Sequence, residues 1–528
     1  MRIQSINPPG LGFEVARADE QPNTLRTDIA GFAGPTQRGA VGRLVRVEGW
    51  RDYLARFGGL TENDDTAFAL RGYFDNGGQA AYVVRTIGRA HTAASATWTI
   101  DALDPVTRQW RPTGPAGGGF PSARYRVAAS SPGTWANGMQ VSLHYRLFGR
   151  NGQPQIDIQV QPWQEPAEYL YGLSPARLVE DVAERSTLIR LQLVPGYTPA
   201  ATPHQGPLSF TWKLPPLHGG SEQVAGLAEY REAADQLLVE PEVALLVLPD
   251  AYAMAGPRDD AGVLVGGLAA SAELTLDRQL LAASPPHLRS ASEVAHWAGA
   301  RQRALTRQGA RNIAVYHPWI DVDDPLGGVT APLRRIAPVG HVAGVISRLD
   351  RERGAHHTPA NAPLFEAVDL AEHYGNVEQA ALAVGGVNLL RCQPGRGLVV
   401  WGARTLTDPT TDPENLYLAH RRLIHRLVRA IRRVAEPLVF NGNGPELWLV
   451  LVRSITSVLM QAFRAGALKG ERAEQAFRVV CDESNNPPSA IDNGLVQCEI
   501  QVAPAVPMEF ITLRIALSND GRLELIEP

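Results

Sequence analysis

The stretch EVALLVLPD (242–250) contains six consecutive apolar residues, Val243 to Leu248. A strand with one wet face alternates polar and apolar positions. A run that is apolar throughout suits a strand covered on both faces, inside a parallel or mixed sheet sandwiched by helices. The same texture returns in IAGFAG (29–34), AAYVVRTI (80–87) and NIAVYHPWI (312–320). Helical patterns stand between them: GWRDYLARFGG (49–59), DTAFALRGYFDNGG (65–78) and SEVAHWAGARQRALTRQG (292–309), the first two closed by glycines that favour helix ends. Strands alternating with helices define an α/β class.

The texture changes from about residue 88 to 235. TGPAGGGFPS (113–122) reads as a loop, while ARYRVAAS, MQVSLHYRLF, QIDIQVQPW and STLIRLQLV alternate in the β manner. The expected organisation is therefore a multi-domain α/β (α+β) protein. An α/β middle domain over 26–87 and 236–345 carries an inserted β-rich domain over 88–235. A C-terminal domain over 346–517 begins loop-rich and then forms two helices, roughly 414–435 and 445–465. VQCEIQV (496–502), FITLRIAL (510–517) and RLELI (522–526) follow as strands, the last two joined by a turn at Asp520-Gly521. Residues 1–25 and 518–528 are expected to be extended arms. Leu11, Phe13 and Val15 line one side of a half-apolar strand that cannot be stable alone and needs a pairing partner.

At 528 residues the chain is too long for one ordinary core, and a net charge of −4 supplies no global field for nucleic acid. Three cysteines, Cys392, Cys481 and Cys498, form no CxxC pair and fit a reducing cytoplasm. MRIQSINPPGLGFEV lacks an apolar segment of signal-peptide length. LWLVLVRSITSVLMQAF is broken by Arg453 and polar residues, so a soluble protein without a membrane span is expected. No phosphate loop, dinucleotide fingerprint, nucleophile elbow or zinc spacing occurs. His356-His357, DVDDP (321–325) and CDESNNPPSAIDNG (481–494) read as polar turns. No catalytic residue, metal ligand or cofactor is expected.

The segment HRRLIHRLVRAIRRV (420–434) holds six arginines, two histidines and no acid. On a helix, Leu423, Ile424, Leu427, Val428, Ile431 and Val434 fall within an arc of about 140°. Arg421, Arg422, Arg426, Arg429, Arg432 and Arg433 take the opposite arc and are expected to face solvent. Solvated helix faces normally mix charge signs, and this one does not. Nucleic-acid binding would call for stacking aromatics or further basic loops, and a membrane-surface helix for Trp or Phe on its apolar side. An acidic protein surface is the favoured partner. A metal-dependent enzyme or a nucleic-acid-binding protein using this helix is the remote alternative.

Segments along most of the chain resemble contractile tail sheath proteins, the family of phage sheaths, tailocins and extracellular contractile injection systems. IAGFAGPTQRGAVGRLVRVEGWRDYLARFGGL and AFALRGYFDNGGQAAYVVRT resemble its N-terminal part, and SSPGTWANGMQVSLHY the start of its β-rich segment. TWKLPPLHGGSE, AVYHPWIDVDDP and PVGHVAGVISRLDRERGAHHTPAN resemble its centre. GVNLLRCQPGRGLVVWGARTL and VVCDESNNPPSAIDNGLVQCEIQVAPAVPMEFITLRI resemble its C-terminal part. The resemblance implies a structural protein, not an enzyme. Six-fold rings would stack as a helical tube around an inner tube protein, bounded by baseplate and terminal cap proteins. Contraction would drive the inner tube through a target envelope, and the alternative is a baseplate-proximal or minor sheath paralogue. Particles would assemble in a bacterial cytoplasm as part of a phage tail or tail-like particle. The arms would exchange strands between subunits through Leu11, Phe13, Val15, Leu523, Leu525 and Ile526. The six arginines would face the lumen and the inner tube, with a subunit–subunit contact as the competing assignment.

Overall fold

The computed structural model describes residues 26–100, 123–148, 153–162, 165–174, 177–193, 209–257, 260–275, 277–438, 441–492, 495–505, 514–517 and 523–526. The chain divides into two compact units, one of Thr27–Leu423 with Ala505–Pro528, the other of Met1–Arg26 with Ile424–Pro504.

The larger unit is built on a nine-stranded mixed sheet. Its order is Ala362–Pro363, Gly397–Val400, Val387–Gln393, Ile313–His317, Gln279–Ala283, Leu245–Val247, Ala30–Gly34, Ala81–Arg85 and Leu44–Val47. The strands from Val387–Gln393 to Ala81–Arg85 run parallel, and the outer pairings are antiparallel. Leu245 and Val247 enter one core with Phe32, Tyr316 and Ile346, while Leu246 enters the opposite core with Leu237, Leu280 and Val294. Two covered faces explain why the run at 243–248 is apolar at every position.

Glycine sets how closely the layers approach. A Cβ at Gly31 would lie 2.7 Å from Leu237, on the covering helix Leu227–Val239. PVGHVAGVISRLD, expected within loop-rich sequence, forms the helix Val339–Arg353. Gly340 and Gly344 make that helix possible in this place. A Cβ there would meet the backbone oxygens of Ala69 and Tyr73 at 2.2 and 2.4 Å, on the crossing helix Thr66–Asp75. The sheet also runs past the expected boundary near 345, because Val387–Gln393 pairs with Ile313–His317.

The insertion leaves the sheet after Ala81–Arg85 and forms a three-stranded and a four-stranded antiparallel sheet around its own core, including Val127, Leu143, Ile158 and Ile189. Arg85, fully buried, holds the junction by donating to the carbonyls of Gly39 and Pro132 and to Glu222 (3.1, 3.0 and 2.8 Å). A smaller sheet joins Ile320–Asp323 to Leu333–Ile336 and Asp369–Leu370.

In the smaller unit the helix Pro445–Arg464 buries Trp448, Leu451, Ile455, Val458 and Leu459 along one stripe. Contrary to expectation, its 20 residues, with mean hydropathy 1.3, are long and apolar enough to cross a membrane, although a third of the window is buried within the protein. Phe477–Val480 pairs antiparallel with Glu499–Val502.

Candidate functional site

The arginine-rich segment forms the helix Leu418–Ala435, and its six arginines divide sharply. Arg421, Arg422 and Arg429 are 5, 3 and 0% exposed, Arg426 is half-buried, and Arg432 and Arg433 are exposed. The expectation of a uniformly solvent-facing ridge is therefore corrected for Arg421, Arg422 and Arg429. Leu423, Leu427 and Ala430 are buried as the apolar pattern requires, whereas Ile424, Val428, Ile431 and Val434 are only half-buried.

A guanidinium can leave water when acceptors match its planar fork. Arg422 pairs through both terminal nitrogens with the Asp350 carboxylate, Nη1 to Oδ1 at 2.7 Å and Nη2 to Oδ2, and Nη2 also donates to the Thr27 carbonyl at 2.9 Å. The Thr27 hydroxyl donates to Asp350 Oδ2 at 2.9 Å. Burial pushes the Asp350 carboxyl upward, while Arg422 pulls it back toward the ionised form. Arg421 donates to Asn415 Oδ1 at 2.9 Å, and burial, then repulsion from Arg311, pushes it down to about 10. In the smaller unit Arg429 donates to the Arg26 carbonyl at 2.6 Å. Buried arginines of this helix thus satisfy main-chain carbonyls within each unit, a role that sequence spacing did not suggest. Asp350 stands among the charges of the stretch SRLDRER, and no sequence pattern singled it out.

Leu11, Phe13 and Val15 lie outside the described residues. Leu523, Leu525 and Ile526 belong to the strand Leu523–Ile526, which pairs antiparallel with Arg514–Leu517 in a two-stranded hairpin. Such a hairpin is marginal alone.

Two polar constellations bear on the enzyme alternative. At the sheet's switch point, where Ala30–Gly34 lies between Ala81–Arg85 and Leu245–Val247, a crevice opens beyond the carboxyl ends, the usual ligand position of such sheets. It measures about 680 Å³ and is lined by Gln37, Asp64, Thr86, Glu222 and Asp250 among others. Asp250 accepts from Asp65 N (2.8 Å) and Thr66 Oγ1 (2.6 Å), and burial, then repulsion from Asp65, raises it to about 7. Separately, His317 Nδ1 lies 2.7 Å from Ser284 Oγ, and its Nε2 lies 2.6 Å from Tyr374 Oη. Burial lowers His317 to about 4, so the ring is neutral at pH 7. Ser284 is fully buried, and this hydrogen-bonded chain ties adjacent strand ends together without presenting a nucleophile to solvent. Among the described residues no group of three or more His, Cys, Asp or Glu is placed to hold a metal ion.

Comparison with known proteins bears on what this framework is. The domain model described as phage tail sheath protein central domain matches residues 262–406, and that described as phage tail sheath C-terminal domain matches 410–518. The tail sheath protein of Vibrio phage KVP40 is 30% identical over 192 residues, which is 36% of this chain and 27% of that protein. The tail sheath protein of Enterobacteria phage T4 is 25% identical over 186 residues, 34% of this chain and 27% of that protein. The match thus spans about a quarter of the length of these curated relatives. Among solved structures, a chain of the contracted helical sheath of the anti-feeding prophage aligns over 97% of this chain and 100% of its own, at 21% identity and TM-score 0.56. A chain of that prophage's baseplate aligns over the same shares at 21% identity and TM-score 0.55. The sheath tail protein of Listeria innocua aligns over 91% and 95%, at 11% identity and TM-score 0.59. Residues 262–406 and 410–518 thus belong, in order, to the central and C-terminal domains of the phage tail sheath family, and solved sheath proteins share the fold across nearly the whole length of the chain.

Proposed function

We propose that the chain is a structural sheath subunit of a contractile injection machine. It polymerises as a six-fold stacked helical tube around an inner tube protein and contracts to drive that tube through a target envelope. The observation that carries this reading is the match of successive sheath-specific domains at 262–406 and 410–518. No catalytic step, cofactor, nucleic acid or membrane enters the reading; work comes from a small free-energy gap per subunit summed over a cooperative lattice. Arms at 1–25 and 518–528 exchange strands between subunits by β-augmentation, through Leu11, Phe13, Val15, Leu523, Leu525 and Ile526. Arg432 and Arg433, with half-buried Arg426, meet acidic patches on the inner tube, and baseplate and cap proteins close the ends. Assembly takes place in a bacterial cytoplasm, in a phage tail or tail-like particle. The likeness to a baseplate chain favours a second reading, a baseplate-proximal sheath paralogue.

Electron microscopy of the purified chain, alone and with its inner tube protein, tests both. Long hollow helical tubes are the expected product. Single closed rings only, under all conditions, would favour the baseplate-proximal reading, and monomers throughout would refute the sheath reading.

A further inference from the structure

The hairpin of Ile320–Asp323 and Leu333–Ile336 ends in a tip, 324–332, that holds aliphatic side chains in water. Val329 is 99% exposed, and Leu326 and Leu333 are each 44% exposed. The tip is folded rather than slack. Asp324 N donates to Pro332 O at 2.7 Å, Ala331 N to Gly327 O at 3.2 Å, and Leu326 N to Asp324 Oδ1 at 2.9 Å. Gly328 takes φ +58, and a Cβ at Gly327 would stand 1.8 Å from Ala331 O, so glycine is needed for this compact turn. A prearranged apolar knob loses little conformational freedom on docking. The acids Asp323 and Asp324 flank it.

The same unit contains an open groove of about 980 Å³ beside the helix Ala291–Ala304. Trp297, Leu288 and Pro285 give it an apolar lining, and Arg301, His287 and His296 supply basic groups, with Glu293 the acid among its lining residues. A Cβ at Gly262 would lie 2.4 Å from the Arg301 guanidinium, so that glycine lets the cation lie flat against the opposite helix.

A head-to-tail contact between copies of one chain joins a protrusion on one copy to a recess on the next. We propose that the 324–332 tip of one subunit docks in the Trp297–Arg301 groove of a second copy, with Val329 and Leu326 on the apolar lining and Asp323 and Asp324 toward Arg301, His287 and His296. The proposal rests on the sheath reading. It gives the DVDDP turn an assembly role in place of a metal-binding one.

Two single-cysteine variants, Val329→Cys and His296→Cys, each in a background with Cys392, Cys481 and Cys498 replaced by serine, test the contact after co-assembly and mild oxidation. Covalent dimers should appear in the mixed tubes and not in tubes of either variant alone. Tubes with normal appearance but no covalent dimer, from variants whose thiols react with maleimide as monomers, would overturn the docking while leaving the sheath reading intact. Absence of tubes from the unmodified chain would overturn both. As a second measurement, Val329→Asp should leave the melting temperature unchanged and raise the critical concentration for assembly about tenfold, the scale expected for exposing one buried aliphatic side chain. An unchanged critical concentration would count against the contact.

Discussion

Arg422 and Arg432 stand ten residues apart on one helix, in a run of like charges, and meet opposite fates. Arg422 is sealed against Asp350 and the Thr27 carbonyl, whereas Arg432 lies at the surface near the helix end. The difference teaches that an arginine cluster need not be a single functional surface. The first half of the helix spends its cations on acceptors inside the protein and anchors the start of the first core strand. Of the six arginines, Arg432 and Arg433 at the end of the helix are the exposed ones. A buried ion pair is also a poor source of net stability, since desolvation offsets most of the attraction, yet it penalises any arrangement that separates its members. Its consequence here is positional: within the larger unit it fixes Thr27, just ahead of the strand Ala30–Gly34.

The largest effect should come from breaking the buried pair. Arg422→Met strands the Asp350 carboxylate and should cost about 3–5 kcal/mol, read as a drop in the denaturant midpoint. Adding Asp350→Leu should restore much of the loss, because a well-filled apolar pair often replaces a buried ion pair at little cost. A single variant with unchanged stability would mean that Arg422 does not hold Thr27 and Asp350 in place.

Asp250 provides an intermediate effect and sharpens the contrast, since it is buried facing Asp65 and Asp64 rather than a guanidinium. Its folded value, near 7, lies above the unfolded value of 3.8. The folded state therefore binds the proton more tightly, and its stability should fall as pH rises from about 4 to about 7 and then level off. The slope should total on the order of 2–4 kcal/mol. Asp250→Asn should flatten that slope in urea titrations at successive pH values. A slope identical to the unmodified chain would place the titration elsewhere.

The smallest effect on folding belongs to Arg432→Glu with Arg433→Glu. Exposed charges are worth roughly 0.2–1 kcal/mol per pair, and stability should change by less than about 0.5 kcal/mol. Co-assembly with the inner tube protein should weaken nonetheless, and salt should mimic the variant because surface pairs are screened beyond about 8 Å at physiological ionic strength. Normal extended particles from this variant would mean that the exposed end of the helix serves some other surface.

Local pattern made much of the framework readable. The two-sided apolar runs became interior strands, Arg514–Leu517 and Leu523–Ile526 paired antiparallel, and the helix periods at 50–57, 66–75 and 445–464 appeared where expected. Each of these depends on residues within one or two turns of each other, so periodicity carries the information. The helix Val339–Arg353 was hidden because its two glycines look like loop residues until Ala69 and Tyr73 are seen to press against them. The sorting of the six arginines was beyond sequence for a stronger reason. Periodicity shows that Arg421 to Arg433 share a helix face, but Arg422 is buried because its carboxylate partner arrives from 72 residues away and its carbonyl partner from 395. The sequence determined which cations exist and on what arc they lie; the tertiary structure decided which of them meet an acceptor out of water, because a charge is tolerated there only where distant chain supplies one.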